Sequence, residues 1–260
     1  MPSSTYFGVT VQPGPGVSYA SAYNTANNAY GGLESYRLFY PGAPREPGLS
    51  GYGRIPVIVS FRYLPKDVLS GRHDAELAAW FRGASRAYPI YWSYDHEPEN
   101  DIEGGQFTAT DYRAAWSHIR AIQRGTGRTD LKATLVLMCW TIAPGSHRSW
   151  RNYYAGSDVV DVMAWDCYNY GQDASRPFYA NPVDMFKGVA DLSASLGKQF
   201  GIAETASPRI SSDTSGYGRA AWLRSLASYL SQRHAAFVCY FDVHKPGSVD
   251  FRLTDAPSRA

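Results

Sequence analysis

Eight short apolar runs punctuate the chain, at 6–11 (YFGVTV), 35–40 (SYRLFY), 55–61 (IPVIVSF), 89–94 (PIYWSY), 132–140 (KATLVLMCW), 159–165 (VVDVMAW), 199–203 (QFGIA) and 236–241 (AFVCYF). Most are near-continuous rather than alternating, the pattern of strands covered on both faces. Helical periodicity fills several of the intervals. A weak first helix is predicted over 18–30, and 73–87 places Leu77, Trp80 and Phe81 on one face. Over 110–124, Tyr112, Trp116 and Ile119 share a stripe, with Thr110 or Asp111 as the cap and Gly125 as the stop. Asn181-Pro182 opens a helix over 181–196, an amide cap followed by proline in the first turn. Trp222, Leu226 and Leu230 stand four apart in a last helix over 217–233.

Strand and helix alternating through eight strands predict a single (β/α)8 TIM barrel, an α/β fold, occupying 1–260 as one domain. The length of 260 residues suits one such barrel. Two reductions are expected. The interval between strands 2 and 3 is a Pro/Gly-rich link at 41–53 rather than a full second helix, and after strand 8 only a short or missing last helix fits. A doubly wound open sheet is the alternative. It normally carries a glycine-rich phosphate loop after an early strand, and Pro13-Gly-Pro-Gly16 is a turn instead.

Composition narrows the function. A net charge of +2 gives no reason to expect nucleic acid or an acidic membrane surface as partner. No run approaches the ~18 apolar residues of a membrane helix. The opening Met-Pro-Ser-Ser-Thr-Tyr lacks a signal peptide's basic and apolar regions. Twenty Tyr, eleven Phe and seven Trp are the compositional outlier; many fill the core, and the excess of Tyr over Phe suits partly wet clefts where sugar faces stack. The three cysteines, Cys139, Cys167 and Cys239, lack metal-ligand spacing and read as small buried hydrophobes, with a Cys139–Cys167 bridge between neighbouring strands as the alternative.

Two carboxylates stand out. Glu97 follows the fourth strand inside Asp95-His96-Glu97-Pro98-Glu99-Asn100, and Glu204 follows the seventh inside Ile202-Ala203-Glu204-Thr205. Barrel enzymes keep their chemistry at the C-terminal ends of the strands. Strands 4 and 7 face each other across the mouth, which suits a retaining glycosidase with two carboxyl groups about 5–5.5 Å apart. Glu97 is the expected acid/base and Glu204 the expected nucleophile. His96 is a candidate to orient substrate or nucleophile, while Glu99 reads as a solvated loop acid. Trp92, Trp140, Tyr63 and Tyr40 are candidate sugar platforms. Arg37, buried in an apolar strand, needs a carboxylate partner, either structural or Glu204 itself. Asp166 is expected to hold a loop or a substrate hydroxyl, and Asp242 and His244 to line the rim. No metal and no cofactor are expected: the histidines lack ligand spacing, His-Glu-x-x-His is missing, and so is a Gly-x-Ser-x-Gly elbow.

These residues also resemble a known family. His96-Glu97 after an aromatic strand is similar to the acid/base motif of glycoside hydrolase family 26, the β-mannanase family of the retaining barrel clan. Ile202-Ala203-Glu204-Thr205 resembles that family's nucleophile strand, Val160–Tyr168 its sixth strand, and Cys239-Tyr240-Phe241-Asp242 its eighth. Pro98-Glu99-Asn100 departs from the family's usual Met-Asn-Gly and echoes the Asn-Glu-Pro of sister families. The resemblance implies an endo-β-1,4-mannanase-like retaining hydrolase without a cofactor. It places Tyr168 in hydrogen-bonding reach of the nucleophile and Tyr240 near the substrate. A polysaccharide or oligosaccharide partner, a monomer, and work outside the cell or at its surface follow as expectations. Xylan, β-1,3/1,4-glucan or a cell-envelope glycan remain alternative substrates, and a non-catalytic glycan-binding barrel remains an alternative class.

Overall fold

The computed structural model describes residues 4–44, 53–244 and 249–259. Among them, eight parallel strands close on themselves in chain order. They are β1 (Tyr6–Thr10), β2 (Ser35–Tyr40), β3 (Val57–Phe61), β4 (Ile90–Tyr94), β5 (Lys132–Met138), β6 (Val162–Tyr168), β7 (Gln199–Ala206) and β8 (Phe237–Tyr240). Pairing of β1 with β8 makes the closure, with Tyr6 beside Phe237 and Val9 beside Tyr240. The molecule is the expected (β/α)8 barrel.

Helices wrap the outside: α1 (Tyr19–Ala29), α2 (Pro65–Leu69), α3 (Asp74–Gly83), α4 (Glu99–Glu103), α5 (Ala109–Gly125), α6 (Pro182–Ser195), α7 (Tyr217–Gln232) and α8 (Ala256–Arg259). The predicted caps are largely in place. Asn181 accepts from the Val183 N–H at the start of α6. For α5 the cap is Thr108 rather than Thr110 or Asp111, because its hydroxyl receives the Asp111 N–H and bonds the Asp111 carboxylate in return. The last helix is the expected stub. The expected Pro/Gly link at 41–53 falls largely on 45–52, outside the described residues. Between β5 and β6 the chain makes three single 3₁₀ turns, at 139–142, 144–146 and 150–152, in place of a covering helix.

Period-2 alternation divides the strand residues into two layers. Ile58, Tyr91, Val136, Val162, Ala164, Ala203, Phe237 and Cys239 pack together inside the barrel. Leu38, Val59, Phe61, Trp92, Leu135 and Trp165 face outward and join the helices in the larger core. The interior is tight. A Cβ on Gly201 would stand 2.6 Å from the Phe237 ring, so only glycine leaves room for that ring.

One irregularity governs the mouth. In the pairing of β6 with β7, Trp165 lies beside Ile202 but Asp166 lies beside Glu204, so β7 carries one extra residue. The same residue shifts its register against β8. Ala203 and Glu204 therefore both turn inward, where strict alternation would send Glu204 out toward the helices.

Candidate active site

The C-terminal mouth of the barrel gathers three acids. One carboxylate oxygen from each of Glu97, Asp166 and Glu204 lies within 4.8 Å of the other two. Arg37 rises from β2 beneath them. Its Nη1 lies 3.3 Å from Asp166 Oδ1 and its Nη2 3.3 Å from Glu204 Oε1. Both sequence readings of Arg37 thus hold at once: it is a buried structural pair and a contact of Glu204. Three acids at this spacing could ligate a cation, but the guanidinium already supplies the positive charge against two of them.

The electrostatics follow from burial. Burial and the neighbouring Glu204 push Asp166 well above the usual carboxylate range, against the pull of Arg37. Burial alone would lower Arg37, and the facing Asp166 and Glu204 outweigh it and hold the guanidinium charged. Tyr168 stands at the end of β6 and donates its hydroxyl to Glu204 Oε2. Burial first, then the charge of Glu204, holds that phenol far above its ordinary value, so it stays a donor.

Glu97 is placed by an unusual backbone. It sits three residues past β4, and both Asp95 (φ 44°) and Glu97 (φ 52°) are left-handed without being glycine. Such residues cost about 1–3 kcal/mol each and persist only where surrounding contacts over-determine them. Here the Asp95 N–H donates to Phe61 O at 2.8 Å, and the Glu97 N–H donates to Val136 O at 3.1 Å. The Tyr112 hydroxyl donates to Asp95 O at 3.1 Å. The Asp95 carboxylate pairs with Arg62 Nε at 2.8 Å. Burial pushes its pKa up to about 6, with Arg62 drawing it the other way.

Two hollows meet at Glu97. A cavity of about 570 Å³ is walled by Trp140, Tyr168, Tyr170, Met138, Met185 and the Cys139–Cys167 pair. A second, of about 350 Å³, lies toward Gln12, Phe39, His96, Glu204, Phe241 and His244. Glu97 lines both, so they form one cleft with the acids at its centre. Trp140 is 56% exposed and lines the first of these hollows. His96 packs against Phe39 with ring centroids 5.0 Å apart.

Several expected residues sit elsewhere. Trp92 is fully buried, stacks on Trp116 and donates its indole N–H to Gln123, so it belongs to the strand–helix core. Tyr240 also faces outward, with its hydroxyl set between the carbonyls of Ser207 and Phe251. Tyr63 turns to α3, stacking on His73 and donating to Glu76. Tyr40 is buried against Tyr19. Asp242 accepts from the Tyr30 hydroxyl and the Leu253 N–H, at the edge of the barrel rather than over the acids. Cys139 and Cys167 are bridged, with Cα atoms 5.1 Å apart, which overturns their reading as free small hydrophobes; Cys239 is free and buried.

Glu99 is another correction. It is fully buried, and its Oε1 accepts from the Met138 N–H at 2.9 Å and from the Thr141 hydroxyl, pinning α4 to the turn that bears Trp140. Other cleft residues went unmarked in the sequence, among them Phe39, Tyr170 and Met185. Phe39 was within reach of the alternation: it follows Arg37 by two and so shares its inward face, with the guanidinium 4.6 Å above its ring.

The fold defines a class by architecture, the closed eight-stranded (β/α)8 barrels. Structural neighbours fall within it. The chain superimposes on the catalytic domain of a family 26 endo-β-1,4-mannanase from a Bacillus species with TM-score 0.62 at 14% identity, covering 92% of this chain and 77% of that one. For a modular endo-β-1,4-mannanase from Cellulomonas fimi the values are 0.63 and 16%, over 94% and 68%. For a family 26 β-mannanase from Bacteroides ovatus they are 0.61 and 12%, over 98% and 86%. The fold is that of the family 26 mannanases. By sequence, 151 residues are 27% identical to endoglucanase H of Acetivibrio thermocellus, a stretch of 58% of this chain and 16% of that protein's length. No protein-family profile matches the chain.

Proposed function

We propose that the protein is a retaining glycoside hydrolase that cleaves a β-1,4-linked polysaccharide, mannan first. The observation that carries this reading is the spacing of Glu97 and Glu204, whose carboxylate oxygens approach within 4.8 Å. Retaining enzymes hold their carboxyl groups about 5–5.5 Å apart, and inverting ones about 6.5–9.5 Å. A gap this small leaves no room for a water between a base carboxylate and the sugar, and it suits direct attack by one carboxylate.

In this reading Glu204, flanked by Arg37 and Tyr168, attacks the anomeric carbon. The glycosidic C–O bond breaks as Glu97 gives its proton to the leaving oxygen, and a glycosyl ester on Glu204 remains. Glu97, now ionised, then takes a proton from water, which displaces Glu204 and frees the second sugar. Arg37, itself held by Asp166, pairs with Oε1 of the nucleophile. His96 positions substrate on one side of Glu97, and Trp140 stacks a sugar ring on the other. No cofactor enters the scheme. Work outside the cell or at its surface suits both a polymeric substrate and a disulfide.

The structural neighbours that are endo-β-1,4-mannanases favour mannan. A second reading, β-1,4-glucan, is favoured by the endoglucanase sequence match. Reducing-sugar release from soluble β-mannan, β-glucan and xylan tests both, with Glu204→Gln alongside. Release by the wild type and loss of roughly 10³-fold or more in the variant is the expected result. A folded Glu204→Gln protein with full activity would sink the assignment.

A further inference from the structure

We propose that Arg62 is a positioning residue for Glu97. Its guanidinium holds the chain on both sides of that glutamate, pairing through Nε with Asp95 two residues before it and through Nη2 with Asp101 four residues after it.

Arg62 follows the last residue of β3 and reaches across to the segment after β4. That segment needs holding, because Asp95 and Glu97 are both left-handed. Other ties on the segment include the Phe61 carbonyl and the Tyr112 hydroxyl on the Asp95 backbone, the Val136 carbonyl on the Glu97 N–H, the Phe39 ring on His96, and Glu99 on the next strand's exit. Arg62 joins the side chains of Asp95 and Asp101 on the two flanks. The Asp95 carboxylate is buried with neither oxygen hydrogen-bonded among the described residues, so the Arg62 ion pair is what offsets its charge. Arg62 itself is 47% exposed, whereas Asp95 is 1% exposed. An arginine at the rim adds little to global stability, so the fold survives its loss, while the aim of the Glu97 carboxyl does not. Through Arg62 the exits of β3 and β4 and the start of α4 become one rigid unit with the glutamate at its crest.

The inference rests on the proposed acid/base role of Glu97 for its catalytic consequence only; its geometric content stands apart. The test therefore has two arms on the intact chain, using Arg62→Ala, Arg62→Lys and Asp95→Asn. In the first, amide hydrogen exchange is followed by NMR at the Glu97 N–H, with Tyr91 and Val136 as controls within the barrel. Exchange at Glu97 is expected to quicken by about tenfold or more in Arg62→Ala, with Arg62→Lys intermediate and the controls unmoved. In the second, kcat on the responding polysaccharide is expected to fall by roughly 10–100-fold in Arg62→Ala at nearly constant KM, with partial rescue by lysine. Wild-type exchange at Glu97 in Arg62→Ala, or wild-type kcat in a variant whose exchange has quickened, overturns the proposal. Quickened exchange in a chain whose wild type cleaves no glycan upholds the positioning and rejects the hydrolase reading instead.

Discussion

Arg37 and Asp166 face each other 3.3 Å apart, and neither side chain is exposed to solvent. The same guanidinium also meets Glu204, so one cation stands between two acids at the floor of the cleft. Removing it leaves two carboxylates facing each other in a dry site. Breaking a buried ion pair from one side costs about 3–5 kcal/mol. Arg37→Ala is expected to lower Tm by on the order of 10 °C in a thermal scan, given about 2–4 °C per kcal/mol for a domain of this size. An unchanged Tm would mean that the acids are not both held as they are here.

Tyr168 donates to the oxygen of Glu204 that Arg37 does not touch. Hydrogen bonds to charged groups contribute about 1.5–3 kcal/mol. Tyr168→Phe keeps the ring's packing against Phe241 and Phe251 and removes only the hydroxyl. Turnover is expected to fall by roughly 10–150-fold with Tm nearly constant. Steady-state kinetics on the polysaccharide that responds would check it.

Asp95 gives the protein a pH signature. Its carboxyl titrates near 6 in the folded chain against an ordinary value of 3.8. Charged groups around it are Arg62 after β3, Asp67 in α2 and Asp101 in α4, with the Tyr94 and Tyr112 phenols beside them. Between pH 3.8 and 6 the unfolded chain has released this proton and the folded chain still holds it. The group's contribution to stability is thus full below pH 3.8 and is lost as pH rises through 6, by about 3 kcal/mol in all. Asp95→Asn is expected to be the more stable protein at pH 7–8, with no such gain at pH 4. Denaturant titrations at those two pH values measure the difference. A variant that is more stable yet slower would mark Asp95 as retained for the site at the expense of the fold.

The Cys139–Cys167 bridge closes a loop of 28 residues beneath Trp140. Replacing both cysteines with serine is expected to cost roughly 3–4 kcal/mol, from the loop-closure entropy the bridge removes from the unfolded chain. Mass analysis with and without reductant establishes the bridge, and denaturant midpoints measure its effect.

Trp140 is exposed at the cleft wall, so little of the core depends on it. Trp140→Ala is expected to raise KM by about 5-fold or more at constant Tm, the loss of one sugar-stacking face being on the order of 1 kcal/mol.

The barrel was legible because its strands are covered on both faces, and continuous apolar runs carry that signal. Pointing was harder to read. Trp92 and Arg37 both lie inside apolar strands, yet one faces the helices and the other the barrel interior. A strand buried on both sides shows no polar face to fix the parity. Small neighbours were the available clue: Ser93 and Ser35 belong to a tight interior, and a tryptophan does not fit there. Tyr63 and Tyr240 lie near strand ends as expected, but partners on α3 and beyond β7 draw them away from the cleft, and such long-range contacts leave no local trace. Arg62 carried no signal beyond being charged at a strand's exit. The bridge stood only as the alternative because Cys139 and Cys167 gain their proximity from the pairing of β5 with β6.

The extra residue in β7 turns the direction of Glu204 into a matter of counting. Held to plain alternation with Ala203 kept, β7 would send the carboxylate toward the helices and leave Arg37 and Tyr168 without it. Every side chain of the site except one would survive such a change in kind and in place. The chemistry proposed for this barrel therefore hangs on a backbone irregularity at a single point, which residue identity alone does not show.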